Sequence, residues 1–291
     1  MLLTTLTAGD IFLLMPYADL PLANVYYEST GHGPALVFAH GAGGNALSWW
    51  QQTAFFSSGY RCITFDHPGF RYSSWNVPAD EPAAFYGNVL CQLLDHLEIE
   101  NVGLVAQSMG GWTCLRFALD HPGRTATLVM AATDGGLYLP SREHYTTQLG
   151  VLDETRQAWA ERLPGSFHPA CGSRMRTEQP DLHDMYVEIG NQNGEVERRG
   201  WGEVSVDELD SLRCPVLFVV GAEDIVCPPE RVQALASITP GSKVVTFPES
   251  GHSVYFENAA DFNRLVDQFL SKHYPFDTSG GTILSSYRPG K

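Results

Sequence analysis

The chain has 291 residues, of which 44% are hydrophobic and 18% charged, and its formal net charge at pH 7 is −15. That length suits one large α/β domain or two small ones, and the composition predicts a buried core and excludes a disordered chain. Because nucleic acids and anionic membrane surfaces repel a strongly acidic protein, neither is expected as a partner.

Six cysteines occur, without a C-x-x-C pair or the cysteine and histidine spacing of a zinc site. We therefore expect buried free thiols, a reducing cytoplasmic location and no bound metal. The N-terminal stretch is apolar in patches, but it lacks a basic beginning and contains Asp10 and Asp19. It is therefore expected to be neither a signal peptide nor a membrane span.

Short apolar runs alternate with helical patterns along the chain. Strands are predicted at Val25–Glu28, Ala35–Ala39, Cys62–Phe65, Val102–Ala106, Ala126–Ala131, Val216–Val220 and Val244–Phe247. Helices are predicted at Asn45–Phe56, Pro82–Leu97, Gly110–Asp120, Pro228–Ala236 and Ala259–Ser271. Continuous apolar strands separated by helices are typical of a sheet covered on both faces. The pattern therefore predicts an α/β fold with a mostly parallel, doubly wound sheet of about eight strands.

The alternation breaks once, between residues 135 and 209, where the sequence is polar and helical and no central strand is evident. Long excursions of this kind are commonly functional lids. We predict a helical cap over residues 135–209, inserted after the sixth strand, with residues 1–134 and 210–291 forming the core. The segment after Lys272 has no helical period and is expected to be a loosely docked extension.

Ser108 stands at the junction of a predicted strand and a predicted helix, in the stretch VAQSMGG at 105–111. A sharp turn there places its central residue at the carboxyl edge of the sheet, where open α/β sheets bind ligands. The residues two before and two after must be small, and they are Ala106 and Gly110. This is the G-x-S-x-G nucleophile pattern with alanine in the first small position, and it makes Ser108 a candidate nucleophile.

A serine nucleophile needs a base within hydrogen-bond reach, and the base needs an acid that orients it. His252 lies just past a predicted strand in a Ser-Gly-His loop, and it is the candidate base. Asp224 follows another strand in LFVVGAEDIVCPPE and is the candidate acid.

An oxyanion hole needs two backbone N–H donors. Met109, at the N-terminus of the predicted helix, supplies the first, and the helix dipole there also favours negative charge. The second is expected from the glycine-rich loop at 40–45, with Ala42 as the candidate.

Five motifs together resemble the capped α/β-hydrolase fold family: HGAGGN at 40–45, DHPGFRYS at 66–73, AQSMGG at 106–111, GAEDIVCPP at 221–229 and SGHSVYFEN at 250–258. The chain order Ser108, Asp224, His252 is the order that this resemblance implies. Some members place the acid after the preceding strand, where this chain has Asp134, so both acids stay open. The chain departs from the family at Ala106, and at Arg71, which stands where the second glycine of D-x-x-G-x-G-x-S is usual.

The resemblance implies acyl chemistry, because relatives that displace at saturated carbon have a carboxylate in place of the serine. Our first hypothesis is a carboxylic ester or lactone hydrolase that works through an acyl-enzyme, without a cofactor, on a small-molecule substrate. The first alternative is a carbon–carbon bond hydrolase of the meta-cleavage type; Gln107 and the scarcity of nearby Arg and Lys count against it. The second is a small-molecule receptor with a slow triad. Perhydrolase-like relatives share the SMGG stretch, and a homodimer remains an option.

Other candidates have ordinary structural interpretations. His40 is expected to brace its loop, and Arg71 to hold a turn. The aromatic residues of the predicted cap are expected to pack mainly among themselves, with some lining the substrate pocket, and the sequence leaves open which: Trp159, Phe167, Tyr186 and Trp201.

Overall fold

The computed structural model describes residues 16–82, 85–137, 146–200 and 204–276. Nine strands form one sheet: β1 Tyr17–Asp19, β2 Ala23–Thr30, β3 Ala35–Ala39, β4 Arg61–Phe65, β5 Ser74–Trp75, β6 Val102–Gln107, β7 Thr125–Ala131, β8 Val216–Gly221 and β9 Lys243–Phe247. The strand order is β1-β2-β4-β3-β6-β7-β8-β9, and β5 pairs with β2. The predicted α/β fold with a mostly parallel sheet is confirmed.

Parallel pairing runs from β4 through β3 and β6 to β9, whereas β1, β2 and β5 pair antiparallel at one side. The seven predicted strands are all present. The two additional strands, β1 and β5, have three and two residues, which is too short for a side-chain alternation to show in the sequence. With both included, the predicted cap segment follows the seventh strand of nine.

The described helices are α1 Trp50–Phe56, α2 Tyr86–His96, α3 Met109–Asp120, α4 Thr146–Ala160, α5 Ser173–Glu178, α6 Pro180–Asn191, α7 Pro229–Ile238, α8 Val254–Glu257 and α9 Ala259–His273. A 3₁₀ turn, Ala46–Trp49, leads into α1, and another spans Val206–Ser211. Asn45 caps the first turn by accepting a hydrogen bond from the Leu47 N–H, so the predicted helix over 45–56 is a 3₁₀ turn followed by an α-helix.

Side-chain alternation along the strands divides the core between the two faces of the sheet. In β3, Leu36 and Phe38 pack in a cluster that includes α1 and α9, and Val37 and Ala39 pack in the cluster of α2, α3 and α7. All four side chains are fully buried. Helices therefore cover both faces, and the carboxyl ends of the parallel strands stay open for a site.

Three helices, α4, α5 and α6, lie in the excursion between the neighbouring strands β7 and β8. A single parallel bridge between Leu137 and Val204 joins the two ends of this excursion. Where it is described, it contains helices and turns apart from that bridge.

All six cysteines are free, and five of them are buried. Among the described residues, no helix combines the length and the apolar character that a membrane crossing requires. Helix α9 continues to His273, and Phe276 packs against Tyr60, so the first residues of the predicted extension are docked. The remainder of that extension and residues 1–15 lie outside the described part of the chain.

Candidate active site

Ser108 occupies a tight turn between β6 and α3. Its backbone has φ +50° and ψ −119°, a region that non-glycine residues rarely adopt and that stores strain. Its N–H donates to the Ala131 carbonyl at 3.0 Å. A Cβ at Gly110 would lie 2.6 Å from the carbonyl carbon of Ala39, so the turn is pressed against β3 and requires glycine there.

The loop after β3 lies directly beside this serine. A Cβ at Gly41 would lie 3.0 Å from the Ser108 Cβ. Ala42 follows in the same loop, and Met109 is the first residue of α3. Among the hydrogen bonds of the described residues, none uses the Ala42 or the Met109 N–H. Both amides therefore stand near Ser108 as open backbone donors.

His252 and Asp224 are paired. The His252 Nδ1–H donates to the two Asp224 carboxylate oxygens at 2.9 and 3.1 Å. Asp224 also accepts the backbone N–H groups of Val226 and Cys227, each at 2.8 Å. Only 3% of Asp224 and 6% of His252 is exposed, so the carboxylate is fixed by three donors away from solvent.

Gln107 links the turn at Ser108 to the loop of His252. Its side chain is buried, and its Nε2 donates to the His252 carbonyl at 3.0 Å. The described hydrogen bonds include none between the Ser108 hydroxyl and the His252 imidazole. All three predicted residues thus follow carboxyl ends of parallel strands. His252 bonds directly to Asp224, and Gln107, the neighbour of Ser108 in the chain, bonds to the His252 carbonyl.

Asp134, the alternative acid, has other partners. It accepts the Trp112 indole N–H at 2.9 Å and the Gly136 N–H at 2.9 Å, and it forms an ion pair with Arg231. No described hydrogen bond joins it to His252. The geometry favours Asp224 as the partner of the imidazole.

His40 ties two loops together beneath the site. Its Nε2 accepts the His67 N–H at 2.9 Å, which leaves Nδ1–H to donate to the Gly41 carbonyl at 2.8 Å. Burial lowers the pKa of His40 to about 4, so the ring stays neutral. Arg71 has φ +43°, a backbone conformation usual for glycine, and its guanidinium lies 4.0 Å from the Tyr72 ring centroid.

A cavity of about 240 Å³ adjoins the loop of Ala42. Helices α4 and α6 and the residues after them form its other walls, contributing Trp159, Arg162, His168, Tyr186, Asn191 and Asn193. Burial, and after it the neighbouring His183 and His252, lower the pKa of His168 to about 4. Of the aromatic residues in the predicted cap, Trp159 and Tyr186 line this cavity, Phe167 stacks on Arg176, and Trp201 lies outside the described residues.

Two acidic side chains that were not chosen as candidates connect the loops of His252 and Asp224 to other segments of the chain. Glu257 accepts backbone N–H groups on both sides of His252, and Glu223 accepts from Ser173. No cluster of three or more histidine, cysteine or acidic side chains suited to a metal occurs within the described ranges.

Residues 34–259 match the α/β-hydrolase fold family. This match spans well over half of the chain, and the sheet order and the turn at Ser108 agree with it. The chain belongs to the α/β-hydrolase fold family.

Several known proteins resemble the chain over most of its length. RutD of Caulobacter sp. strain K31, whose name assigns it carbamate hydrolysis provisionally, is 28% identical over 85% of this chain and 96% of its own. The 2-hydroxy-6-oxononadienedioate/2-hydroxy-6-oxononatrienedioate hydrolase of Burkholderia vietnamiensis is 29% identical over 85% of this chain and 91% of its own. Among solved structures, Est816, described as an N-acyl homoserine lactone degrading enzyme, has a TM-score of 0.65 and 25% identity, and the match covers 87% of this chain and all of that one.

Proposed function

We propose that the chain is a serine hydrolase that cleaves carboxylic esters or lactones through an acyl-enzyme. Ser108 is the nucleophile, His252 the general base, and Asp224 the acid that orients it. The amides of Ala42 and Met109 form the oxyanion hole. The observation that carries this proposal is the His252–Asp224 pair beside a serine held at φ +50°.

The reaction follows from these roles. Because the His252 Nδ1–H is bonded to Asp224, Nε2 is free to take the proton of the Ser108 hydroxyl. The Ser108 oxygen attacks the substrate carbonyl carbon, and the amides of Ala42 and Met109 stabilise the oxyanion that forms. The alcohol then departs with the proton from His252. His252 then deprotonates a water molecule, which attacks the carbonyl carbon of the acyl-enzyme. The bond from this carbon to the Ser108 oxygen breaks, the carboxylic acid is released, and His252 returns the proton to the Ser108 oxygen.

The excursion over residues 135–209 is proposed to act as a cap. Helices α4 and α6, together with the residues that follow them, contribute most of the wall of the cavity beside Ala42. A substrate group that occupies this cavity would lie next to the proposed oxyanion hole and would be selected by side chains of the cap.

Hydrolysis of a series of p-nitrophenyl esters of increasing acyl length tests the proposal, with the wild type and Ser108→Ala assayed side by side. We expect activity that the alanine variant loses by several orders of magnitude, and an optimum that reports the size of the cavity. Wild-type activity that persists in Ser108→Ala would refute Ser108 as nucleophile. Tight ligand binding without turnover would instead favour the receptor alternative.

A second candidate is hydrolysis of carboxylate-bearing substrates of the meta-cleavage type. The Burkholderia relative is named for dioate substrates. Arg162 lines the cavity, its guanidinium 4.4 Å from the Trp159 ring centroid, and no ion pair within the described residues engages it. Basic residues were expected to be scarce near the site, and Arg162 is the one arginine or lysine among the described residues that line this cavity.

A pair of esters tests whether the cavity receives a carboxylate: p-nitrophenyl butyrate and the hemi-ester p-nitrophenyl succinate, assayed on the wild type and Arg162→Gln. If the cavity receives a carboxylate, the substitution lowers kcat/KM for the hemi-ester by about tenfold, the value of one charge-assisted hydrogen bond, and spares the neutral ester. Equal effects on both esters would remove the case for a carboxylate subsite.

A further inference from the structure

Glu257 ends the single-turn helix α8 and is only 5% exposed. Its carboxylate accepts three backbone N–H groups: Gly251 at 3.1 and 3.2 Å, Gly172 at 2.8 Å and Ser253 at 3.3 Å. Two of these donors flank His252 in the chain. The third comes from the excursion between β7 and β8, eighty-five positions before Glu257.

The two segments that Glu257 joins also touch each other directly. The Ser253 N–H donates to the Ala170 carbonyl at 3.1 Å. A Cβ at Gly172 would lie 2.6 Å from the Gly251 nitrogen, and a Cβ at Gly251 would lie 2.6 Å from the Gly172 nitrogen. The contact between the backbones is therefore too close for any side chain on either residue.

A second carboxylate makes a similar connection one residue before Asp224. Glu223 accepts the Ser173 N–H at 2.6 Å and the Ser173 hydroxyl at 2.7 Å. The turn at 170–174 therefore binds the loop of the proposed acid and the loop of the proposed base. Two residues before this turn, His168 lines the cavity.

We propose that Glu257 is a positioning residue for His252, and that it acts by fastening the loop at 250–253 to the turn at 170–174 of the cap. Ionised, the carboxylate accepts all three N–H groups and sets the backbone on both sides of the imidazole. In Glu257→Gln, the side-chain NH2 faces one of those backbone N–H groups. Because two donors repel each other, the loop shifts. This inference rests on the proposed role of His252 as the base for Ser108.

A purely structural role for Glu257 predicts a different result from a positioning role. A positioning residue slows the proton transfer without weakening ligand binding or the fold, because a displacement on the order of 1 Å in a catalytic group already costs up to about a hundredfold in rate. A structural residue lowers stability, and activity falls only with the folded fraction.

The test measures phosphonylation of Ser108 by a fluorophosphonate, because this reaction needs the serine and the base but no particular substrate. The serine oxygen bonds to phosphorus, fluoride leaves, and the serine proton passes to His252. The maximal rate constant, the half-saturating concentration and the Tm are compared for the wild type, Glu257→Gln, Gly172→Ala and the double variant. Glu208→Gln is the matched control, since its carboxylate bonds to Ser205 and Arg116 instead.

We expect Glu257→Gln to lower the maximal rate constant by about tenfold or more, with the half-saturating concentration within about twofold and the Tm not lowered. Gly172→Ala disturbs the same contact through the residue of the cap, and we expect it to lower the maximal rate constant by a similar factor. Because both changes disturb one contact, the loss in the double variant is smaller than the product of the single losses. The control keeps the wild-type rate.

Three results would overturn the inference. One is a Glu257→Gln rate within about twofold of the wild type. Another is a loss of rate that only follows a loss of folded protein. The third applies if Glu257→Gln does not fold: the inference is then tested by Gly172→Ala alone, and an unchanged maximal rate constant in that variant overturns it. If the reagent does not label the wild type, no variant can be compared with it, and this result refutes the proposed function itself.

Discussion

Asp224 and Asp134 are two buried carboxylates with different partners, and this difference predicts different effects of the same substitution. In Asp224→Asn the side-chain oxygen keeps the N–H groups of Val226 and Cys227, and the amide NH2 faces the His252 Nδ1. The imidazole is then held in the wrong tautomer, so kcat should fall by up to about four orders of magnitude. Asp134→Asn removes an ion pair with Arg231 and a charged acceptor for Trp112. The loss of these bonds should lower the free energy of unfolding by about 1–3 kcal/mol. The ion pair's share of this loss is reduced, because Arg231 is partly exposed to solvent. The kcat should stay near the wild-type value.

Ester kinetics and urea unfolding of both variants check this pair of outcomes. The unfolding experiment serves as the control, since it shows whether a low kcat reflects lost protein or lost chemistry. A large loss of kcat in Asp134→Asn with Asp224→Asn near normal would reverse the assignment of the acid.

At this scale, the sequence was informative where a residue's chemistry and its neighbours in the chain are both distinctive. Ser108 sits among small residues, and His252 follows a glycine, so both could be selected as candidates from local pattern. Glu257 could not, because its three partners are backbone N–H groups and one of them belongs to residue 172. Backbone donors leave no pattern in a sequence, and only the folded chain brings them to one carboxylate.

At the scale of elements, the turn between β6 and α3 depends on close contact with β3. A Cβ at Gly110 would overlap the Ala39 carbonyl group, and a Cβ at Gly123 would meet nothing within 4 Å. Gly110→Ala should therefore destabilise the protein by about 1–3 kcal/mol, as overpacking does, and also displace Ser108. Gly123→Ala should be nearly neutral. Thermal unfolding compares the two, and equal Tm values would contradict the tight packing of the turn.

The elements that could be predicted are those whose side chains alternate or repeat against the core. The parallel strands β3, β4, β6, β7 and β8 are almost entirely buried, and they appear in the sequence as continuous apolar runs. The 170–174 turn is different, because polar and backbone contacts to distant loops hold it. The cavity walls could not be derived either, since they require the relative placement of α4 and α6, and neither helix has a sequence pattern that specifies its neighbour.

At the scale of the whole molecule, burial of Glu257 connects stability to pH. Burial raises the pKa of this carboxyl from 4.5 to about 7, and the N–H bonds from residues 251, 172 and 253 oppose the rise. The nearby titratable groups that interact with it are Asp224, Cys171, Tyr186 and Tyr255. The folded state therefore holds a proton that the unfolded state has lost between about pH 4.5 and 7, so this group's contribution to stability falls as the pH rises through that window.

Glu257→Gln cannot ionise, so it should lose this pH dependence. We expect its Tm relative to the wild type to be higher at pH 8 than at pH 5, because at pH 5 the wild-type carboxyl is already largely protonated. Thermal unfolding at constant ionic strength measures the difference. A Tm difference that is the same at both pH values would show that Glu257 has similar proton affinity in the folded and unfolded chains.

The bridge between Leu137 and Val204 brings the beginning and the end of the excursion together above two adjacent strands. Because these two ends are joined, the excursion is connected to β7 and β8 in the same way as a short loop, whatever the number of residues between Leu137 and Val204. A segment of another length or composition could replace it without altering the register of β7 on β8. Under the proposed cap role, selectivity can therefore be exchanged as a module, provided that the replacement segment supplies a glycine and its N–H group where Gly172 meets Gly251 and Glu257.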